Sequence, residues 1–562
     1  KTRKSVLNLV SDDTLITNDT DKANLFNKYF SSVFTGDDGS TSYIVPQKTT
    51  KFPKVTFEQH TVLKFLSKLK PTFSSGPDGL CAYFMKRLKN VLCIPLASIF
   101  EVSFRTSQLP SFWSKAIVVP IFKKGNPLDV NNYRPISLCC ISCKIMESII
   151  SEGMINHLHG NNIMTERQYG FSKDKSCLIQ LLHCKNLWIN SLDNKQNVDV
   201  LYIDFSKAFD TVVHNKLILK LREIGIDGFV LSWLRAFLDN RSQFVKVGQS
   251  FSDTLSVTSG VPQGSVLGPI LFNIFINDIV NCVNDDCEIF LFADDVKLFS
   301  SQHQSLQDTL NQIGDWSKRW QLNISIEKCF ILHLGRNNPE MAYYLDGLKL
   351  QPSNSVKDLG VFTTNSLSST IQCNEIYKKC SRISSLICKT FLSRNQDLIL
   401  KAYKTYVLPI LDYCSPVYNP YKISDIKMLE RTQRKFTKRL LHNGLSYSDR
   451  LSCLNLETLE QRRLKSDLIL AYKIIHNRIP SLSHLLRFQE HDRFTRTSLK
   501  PQLEIQRFSL DIKKNFFVNR VSHVLNLFPV NAWFLERYDL EKFKRNLDNT
   551  DLIQFLRGAA TW

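Results

Sequence analysis

The stretch LFADDVKLFS, residues 291–300, sets Asp294 beside Asp295 inside an apolar run. Adjacent carboxylates repel and neither is cheaply buried, so the pair needs a reason. The simplest is a turn, since Asp suits turns and short apolar runs flank the pair. On that reading CEIFLFADDVKLFS is a strand, an acidic turn and a second strand. A second acidic position changes its meaning. Asp204 follows the run Val200, Leu201, Tyr202, Ile203, where a buried strand delivers a carboxylate to its edge. If these strands are neighbours in one sheet, Asp204 and Asp294 converge, and divalent cations turn their repulsion into a binding site. Two Mg²⁺ ions about 3.5–4 Å apart can polarise an attacking hydroxyl and stabilise a leaving phosphate oxygen.

The rest of the composition agrees with a charged partner. The chain has 562 residues with 72 Lys plus Arg against 52 Asp plus Glu, a net charge of +20. Such an excess favours a polyanion, nucleic acid ahead of an anionic membrane surface. No run of eighteen or more apolar residues appears, so nothing is expected to span a bilayer, and no membrane partner is expected. The first residues, KTRKSVLNLVSDD, lack a signal-peptide core and an initiating Met, so the chain is expected to be part of something longer. Fifteen scattered cysteines argue for reduced thiols inside the cell. CCISC (Cys139, Cys140, Cys143) has no second ligand pair at zinc spacing and reads as buried thiols.

Local patterns give an α+β centre followed by a helical region. Residues 1–55 read as a leader with one amphipathic stretch, KANLFNKYFSSVF, and TFEQHTVLKFLSKLK as a helix stopped by SSGPDGL. Ala116–Phe122 is a strand that Pro120 marks as an edge. QFVKVGQSFSDTLSVTSGVPQGS alternates like strands and reaches a glycine loop; the following helix has Leu267, Leu271 and Ile274 on one face and Ser265 as N-cap. In that loop Gly264 lets backbone approach closely, and the helix start offers amides to an anion. Beyond about residue 365 the pattern is helical and more basic. In KMLERTQRKFTKRLL, Lys427, Arg431, Arg434, Lys435 and Lys438 share one helical face, offset locally only by Glu430. A phosphate-tracking surface and a solvated face both fit it.

In order, GPDGL, VVPIFKKG, NNYRPISL, QYGFSKDKS, DFSKAFDTV, SGVPQGSVLGPILF, FADD and LNISIEKCFILHLG followed by DLGV resemble the reverse transcriptases of non-LTR, LINE-like retrotransposons, nearest the jockey type. The resemblance covers residues 75–365 motif by motif and the helical region more loosely. It implies an RNA-directed DNA polymerase with a right-hand fold: fingers and an antiparallel palm over 56–365, a thumb over 366–480 and a helical, basic end over 481–562. It implies Asp204, Asp294 and Asp295 as the catalytic triad, with the Phe205 carbonyl a further ligand to two Mg²⁺ ions that Mn²⁺ can replace. Phe209 falls at the steric gate, where a bulky ring clashes with a 2′-hydroxyl. Gln263 and Gly264 fall beneath the incoming nucleotide. Arg134 matches a phosphate-gripping arginine; Lys123 or Lys124 adds a charge, and Lys328 protonates or stabilises pyrophosphate. Phe292 packs against the primer terminus, and the 427–438 face grips the template–primer duplex.

The implied partners are an RNA template, a DNA primer at nicked target DNA, and dNTPs, with an endonuclease in a missing N-terminal part and a cytoplasmic and nuclear location. Two alternatives stay open: a catalytically inactive nucleic-acid-binding remnant, and a group II intron maturase-like protein.

Overall fold

Two five-stranded sheets organise the part of the chain that holds the acidic motifs. The structure is a computed structural model and describes residues 6–11, 13–40, 50–391, 395–441, 444–489, 502–528 and 538–558. The fold is mixed α+β.

Helix α1 (Asp19–Ser31) starts at Asn18, whose side chain accepts from the Thr20 and Asp21 amides, with Asp19 and Asp21 in the first turn favouring the helix dipole. It packs on the first sheet, which contains β1 (Lys115–Phe122) and β2 (Tyr133–Leu138). Phe26 and Phe30 of α1 share a core with Val118, Tyr133, Val245 and Val247. Residues 19–31, expected as leader, are therefore a docked element, because the apolar face of KANLFNKYF covers an otherwise open sheet.

Helices α2 (Ile141–Gly160) and α3 (Cys177–Asp193) precede the central strand β3 (Val198–Ile203). Next come β4 (Arg241–Val247) of the first sheet, helix α4 (Gly268–Ile276), and the hairpin strands β5 (Glu288–Phe292) and β6 (Asp295–Ser300). Strand β7 (Phe330–Leu334) then returns to the second sheet, ordered Gln351–Pro352, β7, β3, β6, β5. The pairs β7–β3, β3–β6 and β6–β5 are antiparallel.

The apolar run of β3 follows from its position. Leu201 and Ile203 enter one core with α2 and α4, while Val198 and Val200 enter another with α3 and the C-terminal helices. Both faces are covered, so the strand is apolar on both. The helices α5 (Thr370–Thr390) and α6 (Ile423–Leu440) contribute Ile376, Leu429 and Phe436 to that second core, so the helical region and the sheet are buried against each other.

Pro120 does not mark an edge. β1 pairs β2 on one side and β4 on the other, but the parallel ladder with β4 covers only Lys115–Val118. Pro120 lies past its end, where its missing N–H costs no ladder bond. Ser265 is not the N-cap either: the helix begins at Gly268, although the Ser265 hydroxyl accepts from the Gly268 amide at 2.9 Å. Cys139, Cys140 and Cys143 are buried free thiols. Among the described residues no helix is long and apolar enough to cross a membrane.

Candidate active site

The β5–β6 hairpin closes with Asp295 opposite Phe292, leaving Ala293 and Asp294 as a two-residue turn with Ala293 at φ +55°. On its other side β6 pairs with β3, Val296 against Ile203. One step further along that antiparallel register, Asp204 faces the acidic turn. Residues separated by ninety positions are thus brought together by strand pairing alone.

Electrostatics records the convergence. The Asp294 carboxyl is raised above its ordinary range first by burial and then by the charge on Asp204. Burial also raises Asp204, opposed by Lys328, Lys123 and Lys124. Asp295 keeps contact with solvent, yet desolvation of its inner side and then the charges of Asp294 and Asp358 push it up to about 6.

The turn is held from behind by QYGF. The Gln168 carbonyl oxygen Oε1 accepts from the Ala293 amide at 2.9 Å and the Gly170 amide at 2.7 Å. On either side of Gln168, the Tyr169 amide donates to the Leu291 carbonyl and the Leu291 amide donates to the Arg167 carbonyl. A Cβ on Gly170 would lie 2.4 Å from the Ala293 nitrogen, so glycine alone fits there. This segment supports the acidic turn, a role that its sequence does not disclose.

Phe205 is 3% exposed, its ring edge-on to Trp316. It bridges Ile324, and the flanking bonds use the Asp204 carbonyl and the Ser206 amide, which directs the Phe205 carbonyl away from that neighbour. Phe209 is stacked on Phe272 of α4 with ring centroids 4.4 Å apart, and Phe171 meets it edge-on. Phe292 is half-buried against the second core.

Gln263 and Gly264 lie against β2. The Gln263 carbonyl accepts from the Ser137 amide, and its side-chain amide donates to both oxygens of Asp210 at 3.1 Å. Asp210, raised to about 6 first by burial, ends the KAFD stretch and was missing from the expected site. The amides ahead of α4 are not offered to substrate: the buried carboxylate of Glu147 on α2 accepts from Val266 and Leu267. The contact is long-range in sequence, and Glu147 is fully buried on α2.

A cationic rim surrounds the carboxylates. The Lys328 Nζ is 3.8 Å from Asp204 Oδ2. Lys123 bears on both Asp204 and Asp294, whereas Lys124 enters with Asp204; burial and then Arg134 and Lys124 lower the Lys123 ammonium. Arg134 sits beside them, exposed on β2.

Further out, Lys427, Arg431, Lys435 and Lys438 are exposed along α6. Arg434 leaves that face, its guanidinium lying over the Tyr447 ring at 4.7 Å. Glu430 does not offset the face: it is buried and accepts from the Tyr447 hydroxyl and the Leu459 amide.

Among the described residues no group of three or more His, Cys, Asp or Glu side chains is placed to hold a metal ion. The site offers carboxylates and a main-chain carbonyl. This oxygen-only set suits Mg²⁺, which retains waters and takes substrate phosphates as its remaining ligands.

Residues 121–363 match the family model described as reverse transcriptase (RNA-dependent DNA polymerase). The chain is 28% identical over 376 residues to the probable RNA-directed DNA polymerase from transposon BS of Drosophila melanogaster, covering 63% of this chain and 41% of that protein. It is 26% identical over 415 residues to the RNA-directed DNA polymerase from mobile element jockey of the same species, covering 70% and 44%. To the corresponding X-element protein it is 26% identical over 406 residues, covering 69% and 44%. The chain thus spans less than half the length of these relatives. Fold, site and similarity together define a domain of the reverse transcriptase class. Within that class, its similarity is to the polymerases of the BS, X-element and jockey mobile elements.

The raised carboxyls have a consequence for stability. A carboxyl raised in the folded state destabilises the fold where it is ionised, and the penalty fades as pH falls through the raised value towards the ordinary 3.8. Without divalent cations, Asp294→Asn is therefore expected to melt above the unsubstituted protein at pH 8, with the gap closing towards pH 4. Thermal melts across that range check it; a gap independent of pH would refute the electrostatic origin.

Proposed function

We propose that this chain is an RNA-directed DNA polymerase that adds dNTPs to a primer 3′-hydroxyl on an RNA template. The observation that carries the reading is the β3–β6 register, which sets Asp204 across from the Asp294–Asp295 turn inside a cationic rim. In this reading the first sheet is the fingers and the second the palm, within residues 56–365. Residues 366–480 are the thumb, residues 481–562 a C-terminal basic region and residues 1–55 an N-terminal extension.

Asp204, Asp294, Asp295 and the Phe205 carbonyl would hold two Mg²⁺ ions, or Mn²⁺ in their place, which supply Lewis-acid stabilisation of charge on phosphate oxygens. Lys123, Lys124 and Arg134 bind the triphosphate, with Lys123 the better placed of the two lysines. Lys328 serves the departing pyrophosphate. Phe209, braced by Phe272, lies under the sugar and excludes a 2′-hydroxyl. Gln263, held by Asp210, and Gly264 support the nucleotide and its templating base, and Phe292 packs on the primer end.

The relatives are named for a transposon or a mobile element; a primer at target DNA, the element's own RNA as template, an endonuclease encoded ahead of this region, and work in cytoplasm and nucleus are part of the proposal. Protein with Mg²⁺, dNTPs and a primed RNA is expected to extend the primer. Salt-sensitive RNA binding without any extension would favour the inactive remnant; co-purification with its excised intron would favour a maturase.

The exposed cations of α6 serve the duplex. Replacing Lys427, Arg431 and Lys438 together with Gln is expected to weaken binding to primed RNA. The slope of log affinity against log salt should become shallower by roughly 2–3, about one unit for each phosphate no longer neutralised. An unchanged slope would return this face to solvent.

A further inference from the structure

A cation outside the rim described above, Lys207, is held by the N-terminal helix. Lys207 follows Asp204 by three residues and occupies a turn at φ +47°, a strained conformation for a non-glycine residue. Its ammonium donates to the Tyr29 hydroxyl at 2.5 Å and lies over the Tyr29 ring, 4.0 Å from the centroid. The partner is neutral, so the contact fixes where the ammonium stands and leaves its charge uncompensated.

The charges that bear on Lys207 are Asp210 and Lys328, and Lys328 itself reaches Asp204. Lys207 therefore lies between Asp210, which holds Gln263, and Lys328, at the border of the cationic rim. Tyr29, for its part, is anchored independently of the site: the neighbouring Phe30 lies in the core of the first sheet. Past the helix, the Thr35 amide donates to the Ser259 hydroxyl, which donates to the Asp210 carbonyl. Asn215 then donates to Asp37, and Gln321 to the Gly36 carbonyl. The segment is a strap across the turn that carries Lys207.

We infer that Lys207 is a triphosphate-binding side chain and that Tyr29 is its positioning residue, which makes α1 a working part of the nucleotide site. The inference rests on the polymerase reading. A free lysine loses rotamer freedom when it grips a phosphate, and Tyr29 removes that cost in advance. An ammonium has three protons, so Lys207 can keep its bond to Tyr29 and still donate to phosphate oxygens. The tyrosine ring holds charge without neutralising it, as a carboxylate would.

The test uses the full chain with an oligo(dT) primer on poly(rA) and Mg²⁺. One arm measures kcat and KM for dTTP; the other measures equilibrium dTTP binding on a dideoxy-terminated primer, which needs no turnover. Lys207→Ala is expected to raise KM and Kd for dTTP roughly tenfold, as removal of one charge-assisted hydrogen bond would, with a smaller fall in kcat. The KM for template–primer should stay put. Tyr29→Ala is expected to give part of the same rise and to add nothing on top of Lys207→Ala. Lys28→Ala, which removes an exposed charge from the same helix, should leave dTTP binding alone.

A Lys207→Ala protein with unaltered dTTP KM and Kd overturns the inference, as do effects of the two substitutions that multiply. If Tyr29→Ala fails to fold, Lys207→Ala alone decides, since that side chain is exposed. An unsubstituted chain that neither extends nor binds dTTP overturns the polymerase reading and the inference with it; one that binds without extending still reports on Lys207 through Kd.

Discussion

Asp294→Asn is expected to abolish primer extension, a loss of roughly 10³-fold or more, while binding to primed RNA is retained. The magnitude follows from the proposed function, in which this charged group acts directly on the reacting phosphate's environment. The substitution is close to isosteric, so the turn should survive. Its geometry is set by the Ala293 amide on Gln168, by Gly170 against the Ala293 backbone and by the β5–β6 pairing, none of which involves the Asp294 charge. Burial and Asp204 already disfavour that charge in the absence of cations. A chain that keeps two repelling carboxylates at one turn gains nothing from them structurally. Extension measured with Mg²⁺ and again with Mn²⁺ checks the prediction. Full activity in the variant would remove the acidic turn from the chemistry and leave the fold without a catalytic centre.

How much of this could be read before the structure depended on whether the cause was local. The hairpin was legible because two apolar runs and an acidic turn lie within fourteen residues, and β3 because its run is apolar on both faces. The position of Pro120 was not, since whether a strand is internal depends on β4, more than a hundred residues later. The start of α4 was misread for a similar reason: the anion at its amides comes from Glu147 on α2. Arg434 has the helical spacing of its neighbours, but Tyr447 draws it off the face. Gln168, Gly170 and Asp210 lay inside motifs already noted, and only their partners reveal what they do. The docking of α1 was hidden because an amphipathic helix advertises a buried face without naming what covers it.

Gly264→Ala is expected to cost roughly 10²-fold in extension with little loss of fold. Two effects act at this position. Gly264 holds φ +128°, outside the ordinary range of L-residues, so any side chain brings backbone strain of about 1–3 kcal/mol. In addition, a Cβ there would sit 2.3 Å from the Ser137 carbonyl oxygen. That oxygen belongs to the backbone of β2, so no rotamer change relieves the contact and the loop must move. Movement carries Gln263 with it, because the Gln263 carbonyl and the Ser137 amide are bonded and its side chain is aligned on Asp210. If this loop supports the nucleotide as proposed, its displacement by about 1 Å is enough for a hundredfold loss. Gly347→Ala supplies the comparison. It has φ +76° but no atom within 4 Å of the added Cβ, so it carries the strain without the collision. Gly347→Ala should melt slightly lower and extend normally, whereas Gly264→Ala should show a raised dNTP KM and a reduced kcat. Equal behaviour of the two variants would mean that the close approach at Ser137 does not shape the nucleotide site.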